Sequence, residues 1–321
     1  MKGSPNAFEM NGILILDKPG GVTSHDVVAR VRRATGEESV GHLGTLDPMA
    51  TGVLPLLLGK YTRLAQFFSA QEKSYTGTIR FGFATDTYDA EGQPLGETVT
   101  PELRLEDVRA AADRFHGEIE QMPPPFSAKK VQGKPAYKLA RQGKTPELKP
   151  ARTRVDAFTI HELEGCCARF TMKISAGGYV RSIAHEMGQA LGCGAHLASL
   201  RRIAAGPFTL EQAMTLDEVE ALWTGLPGGD ASRGLPDPEA GAPRACTRLE
   251  TLMVHPRTLL PEMPAVTADE QALGRIRNGM QVNLPEYSGA ALVKIFAGQR
   301  EVAAIGKRIA GTLFQPTVVL L

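Results

Sequence analysis

The sequence predicts an α+β protein: a mixed, mainly antiparallel sheet in a large N-terminal unit, and a smaller β unit at the C-terminal end. Three observations predict this. Two stretches, Lys73 to Phe83 and Ala168 to Ser175, alternate residue types with the period of a half-buried strand. Apolar residues recur at helical spacing between strand-like runs, at Val27, Val28 and Val31 and again at Val108, Ala111, Ala112 and Phe115. From about Pro264 onward come short strand-like runs separated by turns. At 321 residues the chain exceeds the usual size of a single core, so two domains are expected, 1–262 and 263–321.

Composition narrows the function classes. The 36 basic and 35 acidic residues leave a formal charge of +1, so any nucleic-acid signal has to be local. A hydrophobic content of 42% describes a globular chain, and no apolar run reaches membrane-spanning length. Met1 to Met10 is polar and reads as no secretory leader, which makes the cytoplasm the expected location. Cys166, Cys167, Cys193 and Cys246 contain no C-x-x-C pair and read as reduced, mostly buried thiols, with no metal site expected.

Taken in order, Gly12 to Leu16 is a short apolar run ending in Asp17-Lys18-Pro19-Gly20-Gly21, a buried strand entering a loop. Thr23 then caps a helix, with Asp26 at the third helical position and Gly36 at the end. Lys18 is placed on the loop near the helix start, where it can meet a phosphate or simply be solvated.

Val40 to Leu54 sets one histidine, His42, and one carboxylate, Asp47, among glycines and a proline that permit tight turns and close approach. The local chemistry is equally that of a ligand-holding loop and of an Asp-Pro turn beside a satisfied histidine. Gly59-Lys60-Tyr61 fails the P-loop pattern, because Leu54 stands where a glycine is needed and Tyr61 where Ser or Thr is needed; no ATP or GTP dependence is expected. On the Lys73 to Phe83 strand, Tyr75 shares a face with Gly77, Ile79, Phe81 and Phe83, and core packing is its default role. Asp86 to Gly96 has the composition of a connecting loop, and Leu105 to Phe115 that of a helix.

The segment about 124–154 is the most lopsided in charge, with Lys129, Lys130, Lys134, Lys138, Arg141, Lys144, Lys149, Arg152 and Arg154 against Glu147 alone. Five prolines from Pro123 to Pro146 and two glycines give it the character of a mobile arm, and its charge favours a polyanion partner. Val155 to Ile160 and Ala168 to Ser175 read as antiparallel strands. Gly177-Gly178-Tyr179-Val180-Arg181 turns into a helix whose first-turn Arg181 opposes the helix dipole and calls for a carboxylate. His185-Glu186 does not extend to a zinc-protease motif, since the second histidine is Gln189. Leu200 is a core residue by its chemistry. Leu216 to Trp223 reads as one more helix, and 225–246 as a Gly/Pro-rich insertion. Strand-like runs follow at Ala291 to Phe296, Val302 to Ile305 and Thr317 to Leu321; Arg275, Arg277, Lys294, Lys307 and Arg308 offer a second basic surface.

Taken together, Lys18 to Ser24, Gly41 to Pro48 with Gly52-Val53-Leu54, Lys73-Ser74-Tyr75 and Gly178-Tyr179-Val180-Arg181 resemble the bacterial tRNA pseudouridine synthase B family in order and spacing, from about Gly12 to Arg202. The C-terminal part is more loosely similar to the family's PUA-like module. The resemblance implies a pseudouridine synthase type catalytic domain and isomerisation of uridine 55 in the T-arm of tRNA from an N-glycoside to a C-glycoside. That chemistry needs no nucleotide cofactor, metal or activated thiol.

By the same resemblance, Asp47 matches the nucleophile and Arg181 pairs with it and keeps it ionised. His42 looks like the residue that fills the space left by a flipped base. Tyr75 and Tyr179 resemble base contacts, and Leu200 matches an apolar pocket wall. Lys18 and the basic arm, with Lys129, Lys130, Lys134, Lys138 and Arg141, would meet RNA phosphates. A monomer that binds the T-arm stem-loop is expected. The competing function class is an RNA-folding chaperone that binds tRNA without catalysis.

Overall fold

A computed structural model describes residues 10–127, 129–131, 134–136, 139, 148–224 and 251–321. In chain order the principal elements are β1 (Gly12–Lys18), α1 (Ser24–Thr35), β2 (Val40–His42), β3 (Thr51–Leu58), β4 (Lys73–Phe81), α2 (Leu105–Asp113), β5 (Gly117–Gln121), β6 (Ala151–Glu164), β7 (Cys167–Ile174), α3 (Val180–Ala190), β8 (Ala195–Ala205), β9 (Met214–Thr215) and α4 (Leu216–Thr224). The C-terminal part adds β10 (Ala265–Ala268), α5 (Glu270–Arg277), β11 (Val282–Asn283), β12 (Leu292–Ala297), β13 (Glu301–Ala310) and β14 (Leu313–Val319). The 225–246 insertion and, in the basic arm, Lys138 and Arg141 lie outside the described residues.

The large sheet runs β9-β1-β3-β8-β4-β7-β6-β5, with β2 added to β3 and the two residues Phe208–Thr209 added to β8. Its pairings are antiparallel except β1 with β9 and β8 with β3, so the mixed, mainly antiparallel expectation holds. Helices α1, α2 and α3 pack their apolar sides on one face in a core that includes Val27, Val28, Val31, Val108, Ile183 and Met187 together with Leu54, Ile79 and Phe170. On the other face Ile13, Val53, Leu57 and Phe208 share a second core with Phe296, Val302 and Ile305 of the five-stranded sheet β10-β12-β13-β14-β11. Among the described residues no helix is long and apolar enough to cross a membrane.

Local sequence signals account for several of these elements. Thr23 Oγ1 accepts from the Asp26 amide at 3.0 Å, and Asp26 Oδ2 accepts from the Thr23 amide at 2.9 Å, the reciprocal capping box at the start of α1. Gly36 ends that helix in the left-handed region and returns its N–H to the Arg32 carbonyl. On β4 the inward face is Tyr75, Ile79 and Phe81. Phe83 does not continue it, because Gly82 takes a positive φ of 112° and turns the chain, leaving Phe83 against the His196 ring.

Other expectations are corrected. Cys166, Cys167 and Cys193 are free thiols but only half-buried, and Cys246 lies outside the described residues. The C-terminal basic surface is smaller than its sequence suggests. Lys294 is buried with its ammonium donating to the Arg257 and Leu259 carbonyls, and Arg308 turns inward onto Glu286, which leaves Arg275, Arg277 and Lys307 exposed.

One close approach fixes the middle of the large sheet. Gly52 opens β3 with a φ of 102° and lies directly against the backbone of Arg202 on β8, so that a methyl group there would collide with the Arg202 carbonyl. Gly52→Ala is expected to cost at least about 2 kcal/mol through the combined φ strain and collision. Chemical denaturation of the two proteins checks this; equal stability would mean that the two strands separate at no cost.

Candidate active site

Asp47 lies in the loop between β2 and β3, which is tied down on both sides of it. Ser24, buried at the start of α1, uses its hydroxyl twice: it accepts from the Leu46 amide at 2.9 Å and donates to the Leu46 carbonyl at 3.2 Å. After Asp47, the Pro48 carbonyl accepts from the Gly21 amide at 2.9 Å and from Lys18 Nζ at 3.1 Å. Leu46 and Ala50 are anchored in the core on either side. The Lys18 to Ser24 segment is therefore a brace under the Asp47 loop.

That placement corrects the reading of Lys18. It ends β1 rather than standing on a loop, its side chain is fully enclosed, and its ammonium donates to three carbonyls, those of Pro19, Val22 and Pro48. An ammonium has three protons, so none is left for an RNA phosphate. Burial brings its pKa down to about 8, against the pull of Asp47 in the other direction.

Arg181, in the first turn of α3, meets Asp47 from the opposite wall. Its Nε lies 3.0 Å from Asp47 Oδ2 and its Nη2 donates to Oδ1 at 3.0 Å, a two-pronged pair. Nη2 also donates to the Phe126 carbonyl at 3.0 Å, while Nη1 donates to the Thr87 carbonyl at 3.1 Å and to Asp89 Oδ2 at 3.2 Å. The four Nη N–H groups of the guanidinium thus have acceptors, and Nε faces Asp47 as an ion-pair contact. The first-turn arginine finds its carboxylate, and a second one besides. Asp89 is itself buried, and its other oxygen accepts from the Thr87 hydroxyl at 2.6 Å and the Glu91 amide at 3.0 Å.

A cavity of about 310 Å³ opens beside Asp47 and Arg181, and Tyr75, Tyr179 and Leu200 line it. This volume suits a small ligand such as a nucleoside. Tyr75 comes from β4, Leu200 from β8, and Tyr179 from the turn before α3. Gln121 at the end of β5 holds that turn, its amide donating to the Tyr179 carbonyl at 2.8 Å and accepting from the Tyr179 amide at 2.7 Å. Gly178 permits the turn, since a Cβ there would strike the Ile174 side chain. Two cations that sequence reasoning did not single out as site residues, Lys73 and Arg202, also line the cavity.

His42 is half-buried and does not line the cavity. Its Nδ1 is enclosed without a hydrogen-bond partner among the described residues, and burial, reinforced by the Arg202 charge, holds the imidazole below its usual pKa. The structure therefore joins Asp47, Arg181, Tyr75, Tyr179 and Leu200 at one cavity and leaves His42 beside it. In the basic arm, Lys129 is described with its Nζ donating to the Lys149 carbonyl, and Lys130 and Lys134 lie on a two-stranded hairpin.

Comparisons with known proteins identify the family. The profile described as TruB family pseudouridylate synthase (N terminal domain) matches residues 32–180, and that of the tRNA pseudouridylate synthase B C-terminal domain matches residues 181–230. A tRNA pseudouridine synthase B of Solibacter usitatus is 44% identical over 97% of this chain and 100% of its own length. The chain belongs to the TruB family of pseudouridylate synthases. A second TruB relative, from Aquifex aeolicus, is 37% identical over 95% of this chain and 98% of its own. Among solved structures, a Cbf5-Nop10-Gar1 complex contains a chain that superposes with a TM-score of 0.64 at 26% identity, covering 97% of this chain and 85% of that one. The pseudouridine synthase fold expected from the sequence is the fold observed, and the C-terminal five-stranded sheet is consistent with a PUA-like module.

In this TruB site, burial pushes the Asp47 carboxyl above the ordinary aspartate range; Arg181 opposes the shift, Asp89 adds to it, and Lys18 opposes it. A carboxyl whose folded-state pKa is raised costs stability when ionised, and that cost is relieved as the pH falls through the raised value. In a carboxyl-carbon NMR titration of labelled aspartates, Asp47 is expected to titrate above the ordinary aspartate value of 3.8. Asp89→Asn, which removes a nearby negative charge, should move it downward. An unmoved or rising midpoint in that variant would show that Asp89 does not act on Asp47 through charge.

Proposed function

We propose that this member of the TruB family isomerises uridine 55 in the T-arm of tRNA to pseudouridine, with Asp47 as the nucleophile. The observation that carries the reading is the carboxylate of Asp47, gripped at both oxygens by Arg181 and set at a cavity of nucleoside size. Its ionised form adds to the ribose or the base, which allows the N1–C1′ bond to break and the uracil to turn. The C5–C1′ bond then forms, the bond to Asp47 breaks and returns its electron pair to the carboxylate, C5 loses its proton and N1 gains one. Product and substrate are isomers, so no electrons or additional atoms are exchanged.

The walls fit that sequence of events. Tyr75 and Tyr179 contact the extruded base, Leu200 closes an apolar side, and His42, just outside the cavity, occupies the space the base leaves in the stacked RNA. The two-pronged grip of Arg181 keeps Asp47 charged and aimed, which a lysine could not reproduce with one point of charge. The basic arm about 124–154, with Lys129, Lys130, Lys134, Lys138 and Arg141, binds RNA phosphates. The C-terminal unit, 263–321, adds RNA contacts to the catalytic unit, 1–262. The protein acts as a monomer in the cytoplasm.

Incubation of the protein with unmodified tRNA transcript, followed by base-resolved pseudouridine mapping, tests the reading. Pseudouridine is expected at position 55, and Asp47→Asn is expected to abolish it while changing RNA affinity less than about threefold. Arg181→Lys should retain binding and lose about 100-fold in rate through misplacement of the carboxylate. Full activity of Asp47→Asn would overturn the mechanism, and modification at another position would overturn the substrate. A protein that refolds tRNA yet forms no pseudouridine would be the chaperone instead.

A further inference from the structure

Within the cavity, opposite the Asp47–Arg181 pair in chemical character, stand two cations without an acid. Arg202, on β8, is almost fully buried, and its guanidinium donates to the Val53 carbonyl at 2.7 Å and the Gly44 carbonyl at 3.0 Å. Lys73, at the start of β4, donates to the Gln71 carbonyl at 2.7 Å. Carbonyls satisfy N–H groups but leave the charge uncompensated. Neighbouring cations are treated differently: Arg201 pairs with Asp17 at 2.6 Å and Lys173 with Glu72 at 2.5 Å. Among the described residues neither Lys73 nor Arg202 has a carboxylate partner.

The two side chains converge on Gly44. A Cβ placed there would lie 3.5 Å from Lys73 Cε and 3.7 Å from Arg202 Nη1. Two like charges held at one point of a partly enclosed wall repel, and burial together with Arg202 brings the Lys73 pKa down to about 8. Such an arrangement is costly unless an anion completes it.

We infer that Lys73 and Arg202 form an anion subsite for a phosphodiester adjacent to the target uridine. The proposal rests on the reading of the cavity as a uridine site. Uracil and ribose are neutral and cannot compensate the pair, whereas the phosphate joined to the same nucleotide can. Gly44 precedes Asp47 by three residues, a reach of at most about 11 Å, and Lys73, Arg202 and Asp47 line the same cavity. One guanidinium and one ammonium then hold the backbone while the base turns beside Asp47. The subsite fixes the nucleotide at its phosphate, the part that does not move during isomerisation.

The test is a double-mutant cycle between protein and RNA. T-arm RNAs carry an uncharged methylphosphonate at the phosphodiester 5′ or 3′ of the target uridine, and wild type is compared with Lys73→Met and Lys73→Arg. Lys73→Met is expected to lower kcat/KM on natural RNA by about 10- to 100-fold, the range of a charge-assisted hydrogen bond. One methylphosphonate should lower wild type by a similar factor, and the two changes combined should lose little more than either alone. Lys73→Arg should restore most of the rate. Additive losses, or a wild type indifferent to both methylphosphonates, would overturn the subsite; a merely structural lysine gives additive losses. The same cycle is measured on equilibrium RNA binding, so a wild type that forms no pseudouridine on natural RNA would contradict the uridine reading while the binding cycle still judges the subsite.

Discussion

One guanidinium sets the terms for the rest of this site. Arg181 is buried with a charge it cannot lose, so each of its N–H groups has to find an acceptor and its charge has to find a carboxylate. The acceptors come from three separate stretches: Asp47 from the loop before β3, Thr87 and Asp89 from the loop after β4, and Phe126 from the chain after β5. Leaving such a charge half-paired costs several kcal/mol, so the native packing that satisfies Arg181 also sets the position of Asp47. Assembly of the site and folding of the domain are coupled through one side chain.

The backbone around this pair is braced from below. Ser24 holds Leu46, Lys18 and Gly21 hold Pro48, and Arg202 holds Gly44, so the Asp47 loop is pinned at three places within five residues. The side-chain braces Lys18, Ser24 and Arg202 are buried polar groups on β1, α1 and β8, and Gly21 braces through its backbone from the turn between the first two; the sheet order β1-β3-β8 ties these strands together. Such a loop keeps its carboxylate aimed before any ligand arrives, which is the condition for a rate gained by orientation. The cations lining the cavity, Lys73, Arg181 and Arg202, outnumber its one lining carboxylate, Asp47, and the excess suits a polyanionic substrate although the whole chain is near neutral.

Much of this was legible in the sequence where the signal is local. The Thr23–Asp26 capping box, the alternation of Tyr75 to Phe81 and the glycine turn into the Arg181 helix all follow from contacts within a few residues. The motif resemblance brought Asp47, Arg181, Tyr75, Tyr179 and Leu200 to one place. What stayed hidden depends on contacts distant in sequence. Asp89 looks like any loop aspartate until Arg181 arrives from 92 residues away. Strand β8 escaped notice because register shifts at Leu197/Ser199 and Arg202/Ala204 break the period-two pattern, and with it went Arg202. Lys18 was misplaced because a lysine beside Pro-Gly-Gly reads as solvated, while its burial is set by carbonyls contributed as far away as Pro48.

On the proposed reading of Asp47 as the nucleophile, the Asp89–Arg181–Asp47 chain of charges orients that carboxylate rather than holding RNA. Single-turnover pseudouridine formation and equilibrium tRNA affinity, measured side by side on wild type and Asp89→Asn, test it most directly. The account predicts a rate reduced by about two orders of magnitude with affinity unchanged within about twofold. An unchanged rate with weakened binding would contradict it.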